Sequence, residues 1–166
     1  VSTLITLIHR PTGHQSHAGE RRSQKENKSV ALRRLRLTLA VHVRTAAPPP
    51  QTPRGKTFEK FLESLDASIS TAGHPGEQNS ALWRSRVGGT RGGGAGRIAC
   101  NPDHHDYPAL LAEALDTIAD AGWEPKPAAE RLGITASQLI KLVKDHPPAM
   151  VEWNAQRAKR GGHPLK

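Results

Sequence analysis

Residues 2–43 run STLITLIHRPTGHQSHAGERRSQKENKSVALRRLRLTLAVHV, and their reading sets the fold at this end of the chain. Residues 2–8 are rich in Thr, Ile and Leu. Thr3, Ile5 and Leu7 fall on one face and Leu4, Thr6 and Ile8 on the other, as in a short strand. Pro11, Thr12 and Gly13 carry turn chemistry, because Pro fixes φ and Gly accepts φ > 0. Residues 14–18 are expected to return as a second strand. A helix follows over about 20–43. Its Ala31, Leu32, Leu35 and Leu39 recur at helical spacing and would cover the hairpin, with Arg22, Lys25, Arg33 and Arg36 on the opposite face. A single helix cannot bury such a stripe alone, and a lone hairpin is marginal in water, so each is the natural partner of the other.

Charge is concentrated in the same region. Residues 1–44 hold nine Lys/Arg and two acids, a net +7, against +3 for residues 45–100 and −1 for residues 101–166. A cationic density of this kind is the electrostatic footprint of a phosphate-backbone partner. It sets affinity and salt dependence and carries no base-reading information. A solvated helix face is the plainer alternative.

Further along, Ala46, Ala47 and Pro48-Pro49-Pro50 stop the helix and favour extended backbone. Residues 45–107 read as a flexible linker. Within it, Phe58, Phe61, Leu62 and Leu65 fall at i, i+3, i+4 and i+7, the spacing of a short helix with a face to dock. Residues 71–80 read as loop. Residues 81–87 and 97–101 are expected as two short strands around a Gly-rich loop, either a flexible hairpin tip or an RNA-contacting arm using Trp83, Arg84, Arg86, Arg91 and Arg97. No Gly-Lys-Ser/Thr follows these glycines, so a P-loop is not supported. Cys100, Asp103, His104, His105 and Asp106 match no metal-ligand spacing, and no metal site is assigned to them. Asp106, Tyr107 and Pro108 instead read as a helix start.

From Pro108 the pattern is helical. Leu111, Leu115 and Ile118 form a stripe, and Gly122 supplies the left-handed stop. Residues 127–145 resemble the helix-turn-helix of many small regulators. Gly133 takes the left-handed position in the turn. Thr135 caps the second helix, and Gln138 three residues on is placed to complete a capping box. Ala128, Leu132, Ile134, Leu139, Ile140 and Val143 would pack between helices, and Ser137, Gln138, Lys141 and Lys144 would face out. A last helix over about 148–159 sets Met150 and Val151 near Trp153 and Ala158 and leads into a short basic tail.

The motifs at the start also carry a family resemblance. His9-Arg10-Pro11-Thr12-Gly13, then Arg22-Ser23-Gln24 with Asn27-Lys28, then a basic amphipathic helix, resembles the catalytic domain of bacterial class I peptide chain release factors. The codon-independent rescue type is the nearer relative, because no stop-codon-reading domain stands before it. The resemblance covers roughly the first quarter of the chain. It implies a role in translation termination or rescue of stalled ribosomes. The partners it implies are the ribosome and ribosomal RNA, with peptidyl-tRNA reached indirectly. It marks Arg21, Arg22, Ser23, Gln24, Lys25, Asn27, Lys28, Arg33, Arg34 and Arg36 as the ribosome- and RNA-binding set, and His9, Pro11, Thr12 and Gly13 as the family turn. Rescue-type proteins also carry a basic C-terminal tail that lies in the ribosomal mRNA channel; the tail here is similar in sign and shorter. Full-length relatives hydrolyse peptidyl-tRNA with a Gly-Gly-Gln loop upstream of this motif. Here residues 1–8 alone precede it, and Gly88-Gly89-Thr90 follows the basic helix, so no catalytic residue is assigned. Val1 stands where Met is usual and Met150 is the sole methionine. The expectation is a coding sequence that extends upstream; the rival is a family member that has lost hydrolysis.

The resulting architecture is α+β: a release-factor-like hairpin and basic helix over 1–44, a Pro/Gly-rich linker over 45–107, and a helical domain with a helix-turn-helix over 108–166. Aromatic residues make up 4% of the chain, so a core is built mainly from Leu, Ile, Val and Ala. With 13 Pro and 15 Gly, sizeable irregular stretches are expected. A single cysteine excludes an intrachain disulfide and suits a reducing cytoplasm. No apolar run approaches the roughly 20 residues of a membrane span, and no signal peptide is visible. A monomer without cofactor or membrane partner is expected. The alternative is a regulator that binds nucleic acid through the helix-turn-helix.

Overall fold

The computed structural model describes residues 3–45, 79–88 and 95–165. The fold is mixed α+β and mostly helical. Among the described residues it has six helices and two small antiparallel sheets. Strands β1 (Ile5–Ile8) and β2 (Gln15–Ala18) pair with Ile5 opposite Ala18 and Ile8 opposite Gln15. Gly13 closes the turn at φ 73, and its N–H donates to the His9 carbonyl at 2.8 Å. His9 Nδ1 lies 2.7 Å from the Thr12 hydroxyl. His9, Thr12 and Gly13 therefore hold the hairpin tip.

Helix α1 (Gln24–His42) packs on the hairpin through Asn27, Ala31 and Leu35, a ladder at i, i+4 and i+8. Toward its C-terminus it turns Leu37, Ala40 and Val41 into the core it shares with the C-terminal helices. This second contact corrects the expected stripe. Leu32 lies 41% exposed, and Leu39 is only half-buried. With two packing partners on different sides, the helix leaves Leu32 on its remaining solvent face.

The segment expected as a first strand is helical: α2 (Ala81–Arg86) starts at Ser80, whose hydroxyl accepts from Trp83 N–H at 3.0 Å. Trp83 is buried, and its Nε1–H donates to the Leu132 carbonyl at 2.9 Å. A tertiary anchor thus overrides a local pattern that suited a strand. Only the two-residue strands β3 (Val87–Gly88) and β4 (Arg97–Ile98) pair. Over 79–88 and 95–106 the expected linker is therefore packed structure. The expected helix over 58–65, the Pro run at 48–50 and the centre of the Gly-rich loop lie outside the described residues.

Four helices complete the fold: α3 (Tyr107–Asp120), α4 (Pro125–Leu132), α5 (Ala136–Lys144) and α6 (Pro147–Ala158). Asp106 stands at the N-cap of α3, with Pro108 in its first turn. Gly122 and Trp123 both have positive φ where the chain leaves α3, and Gly133 has φ 69 in the helix-turn-helix turn. Thr135 caps α5 by accepting from Gln138 N–H at 3.3 Å. The reciprocal half of the expected capping box is absent among the described contacts. Gln138 Oε1 accepts instead from Ile98 N–H at 2.9 Å, and Gly96 N–H donates to the Gly133 carbonyl at 2.7 Å. The β4 segment thus lies along the helix-turn-helix turn. A Cβ on Gly96 would stand 2.4 Å from Val87 Cγ1 and 3.1 Å from the Gly133 carbonyl oxygen, so the close approach needs glycine. Leu139 and Val143 are buried as expected, joined by Leu142, while Ile140 is half-buried and Val151 exposed. No helix among the described residues is long and apolar enough to cross a membrane.

Candidate nucleic-acid interface

The start of α1 is built around one buried amide. Ser23 sits at the N-cap with extended backbone, but its side chain makes no capping bond. Asn27 orders the approach to the helix instead. Its Oδ1 accepts from Arg21 N–H at 2.9 Å, and its Nδ2 donates to the Thr3 carbonyl at 2.7 Å and the Arg21 carbonyl at 2.9 Å. Asn27 is fully buried, so within the expected RNA-binding set it is a brace between hairpin and helix and presents nothing to a partner. Asn27→Ala is expected to cost about 1–3 kcal/mol, since it removes three hydrogen bonds to part-buried backbone groups of Thr3 and Arg21. Urea denaturation, with hydrogen exchange at the Arg21 amide, checks this; unchanged stability would remove the brace.

Around this brace the cations divide into two groups. Arg21, Arg22, Lys25, Lys28 and Arg36 are exposed. Along α1, Lys25, Lys28, Leu32 and Arg36 fall at i, i+3, i+7 and i+11, one solvent-facing stripe. Gln24 is exposed at the helix start. The other two arginines are tied to the protein. Arg34 donates to the His17 carbonyl at 2.8 Å and pairs with Glu20 at 2.5 Å. Hydrogen bonds from the Glu20 and Gly19 backbone, with Arg34 adding to them, hold the Glu20 carboxyl below its ordinary range. Arg33 donates to the Pro102 carbonyl at 2.5 Å and lies 3.4 Å from Asp103, which fastens α1 to the loop before α3. Its position on the expected open cationic face is corrected accordingly.

The arm residues also separate. Arg84 and Arg97 are exposed, whereas Trp83 is in the core and Arg86 pairs with Asp106 at 2.5 Å. Arg91 lies outside the described residues. Asp106 also meets His105 Nε2 at 3.0 Å and His104 Nδ1 at 3.5 Å. The hydrogen bond from Arg86 holds the Asp106 carboxyl below its usual range. His104, His105 and Asp106 place ligand atoms within 4.8 Å of one another, but the arginine already supplies the counter-charge to the carboxylate. In the tail, Arg157 is buried against the Trp123 carbonyl and Glu124, and Lys159 and Arg160 are exposed.

A further set of residues was not singled out by sequence. Between β2, the C-terminal half of α1 and the start of α6 lies a groove of about 540 Å³ edged by His17, His42 and His146. His17 and His42 lie 25 residues apart and His146 a further 104 along the chain, so no local spacing joins them. The His42 ring stacks on His14 with centroids 5.5 Å apart. Burial, with the Arg33 guanidinium adding to it, pushes the His146 imidazole below its ordinary range. The folded chain therefore takes up this proton less readily than the unfolded chain. Below the unfolded pKa the unfolded state binds the extra proton, so stability falls as pH drops from about 7 toward 5. His146→Gln is expected to remove that part of the slope. Melting curves of both proteins at pH 7.5 and 5.5 test it, and parallel losses would sink the assignment.

Comparison with protein-family models, curated proteins and solved structures finds no match.

Proposed function

We propose that this chain is a ribosome-directed RNA-binding protein of the release-factor type, acting in translation termination or rescue of stalled ribosomes. The observation that carries the reading is the exposed cationic surface of Arg21, Arg22, Lys25, Lys28 and Arg36 beside a hairpin whose turn is held by His9, Thr12 and Gly13. Residues matching the family motif divide sensibly between fixing this element and facing outward. Cations carried on ordered backbone favour phosphate contact, because little backbone order must be added on binding. The helix-turn-helix supports this reading over a groove-reading regulator: β4 lies on its turn, and Gln138 at the start of its second helix is engaged with Ile98.

Co-sedimentation with 70S ribosomes, set beside binding to duplex DNA of mixed sequence, tests the proposal. Salt-sensitive ribosome binding with weak DNA binding is expected. Tight duplex binding lost on changing Lys141 and Lys144, with no ribosome association, would transfer the function to the helix-turn-helix.

A further inference from the structure

The geometry points to the groove between β2, α1 and α6 as a pocket for one unpaired nucleobase of single-stranded RNA, an inference that rests on the RNA-binding reading above. Its volume of about 540 Å³ lies within the ~300–1,000 Å³ range of small-ligand sites. Leu37 and Val41 give it apolar surface, and Pro148 adds a rigid wall. Gln15, Thr38 and the three imidazoles contribute both donors and acceptors, which is the chemistry that the edge of a base requires. Single-stranded RNA is read in this manner, by stacking splayed bases on flat side chains and bonding their edges. Imidazole offers a flat face, and the His42 ring already stacks on His14 with centroids 5.5 Å apart.

A phosphate fits the groove less well than a base. The α6 N-terminus opens beside it, yet Pro147 and Pro148 have no N–H, and the Ala149 N–H is spent on the His146 carbonyl at 2.9 Å. The helix end therefore lacks the free donors that usually hold an anion. Arg34, the cation at the rim, is already engaged with Glu20 and the His17 carbonyl. The neighbouring groove of α1 and α3, about 590 Å³, is edged by Leu39, Val43, Ala109 and Ala112, and its two carboxylates are already engaged, Asp106 by Arg86 and Asp116 by Arg44. Of the exposed cations, Arg21 and Arg22 precede α1, Lys25 and Lys28 lie in its first turns, and Arg36 lies in its C-terminal half, along which the histidine groove runs.

The test uses the full chain and two fluorescent RNAs of equal length, a single-stranded oligonucleotide carrying 2-aminopurine and a blunt duplex. His42→Ala is expected to weaken single-strand binding between about fivefold and a hundredfold, the range for losing one stacked base, and to abolish the 2-aminopurine fluorescence change. Duplex affinity should stay the same. His42→Phe, which keeps a flat ring, should restore single-strand affinity, and melting curves confirm that both variants fold. If wild type and His42→Ala bind the single strand equally, with equal 2-aminopurine signals, the pocket assignment is overturned and the RNA-binding reading survives. If the wild type binds neither RNA, that reading fails and takes the pocket with it.

Discussion

Changing Arg22 and Lys28 together to glutamate is expected to weaken RNA and ribosome binding on the order of a hundredfold at low salt, because two attractions to phosphate become repulsions. The salt dependence should flatten as well. Each lost contact removes a slope of about 0.7 on single-stranded RNA in the plot of log affinity against log salt, so the pair removes roughly 1.4. Both side chains are exposed, so the melting temperature should hardly move. Arg33 is unsuitable for this experiment. A glutamate there would lose the bond to the Pro102 carbonyl and face Asp103, and a change in stability would mix with the change in binding. Ribosome co-sedimentation across a salt series reads both quantities. A double variant that pellets like the wild type at every salt would make the stripe a solvated helix face.

Trp153→Ala is expected to produce the largest loss of stability, about 4 kcal/mol, against a total of roughly 5–15 for a typical domain. Trp153 is fully buried, and its Nε1–H donates to the Trp123 carbonyl at 2.9 Å. That carbonyl also accepts from Arg157 at 3.1 Å. Trp123 sits at φ 68 directly after Gly122 at φ 70, a conformation that a side-chain-bearing residue adopts only when its surroundings hold it. Removing the indole leaves a cavity and releases one of the two donors fixing this bend. A drop in melting temperature of roughly 8–16 °C follows from the size of the chain. Trp153→Phe should fall between the two, since it restores most of the volume and none of the hydrogen bond. Calorimetry settles it: an alanine variant that melts within a few degrees of wild type would show that the bend and core hold without the indole.

What could be read from the sequence was local. The hairpin and α1 followed from alternation, a Pro-Thr-Gly turn and helical spacing. Gly122 and Gly133 marked the ends of their helices because left-handed backbone favours glycine. Features set by distant contacts were not legible. The helix at Ala81–Arg86 depends on Trp83 reaching Leu132. The exposure of Leu32 depends on α1 having two partners, and Gln138 gave its side chain to Ile98 rather than to its own helix start. Asn27 was read as a contact residue by resemblance; its burial came only with the hairpin folded over it. The histidine groove joins two residues from the first quarter of the chain, His17 and His42, with His146 near its end, a juxtaposition that no periodicity encodes.

The double packing of α1 has a thermodynamic consequence. One helix carries the exposed cations at its start and part of the Trp83 and Trp153 core at its end. Ordering at the surface and melting of the interior are therefore linked equilibria. A polyanion that holds the N-terminal half of α1 in place should raise the unfolding free energy of the whole molecule. At a ligand concentration of 100 times Kd the gain is about 2.7 kcal/mol. It would be seen in the tryptophan fluorescence of the C-terminal helices, far in sequence from any charge the ligand touches.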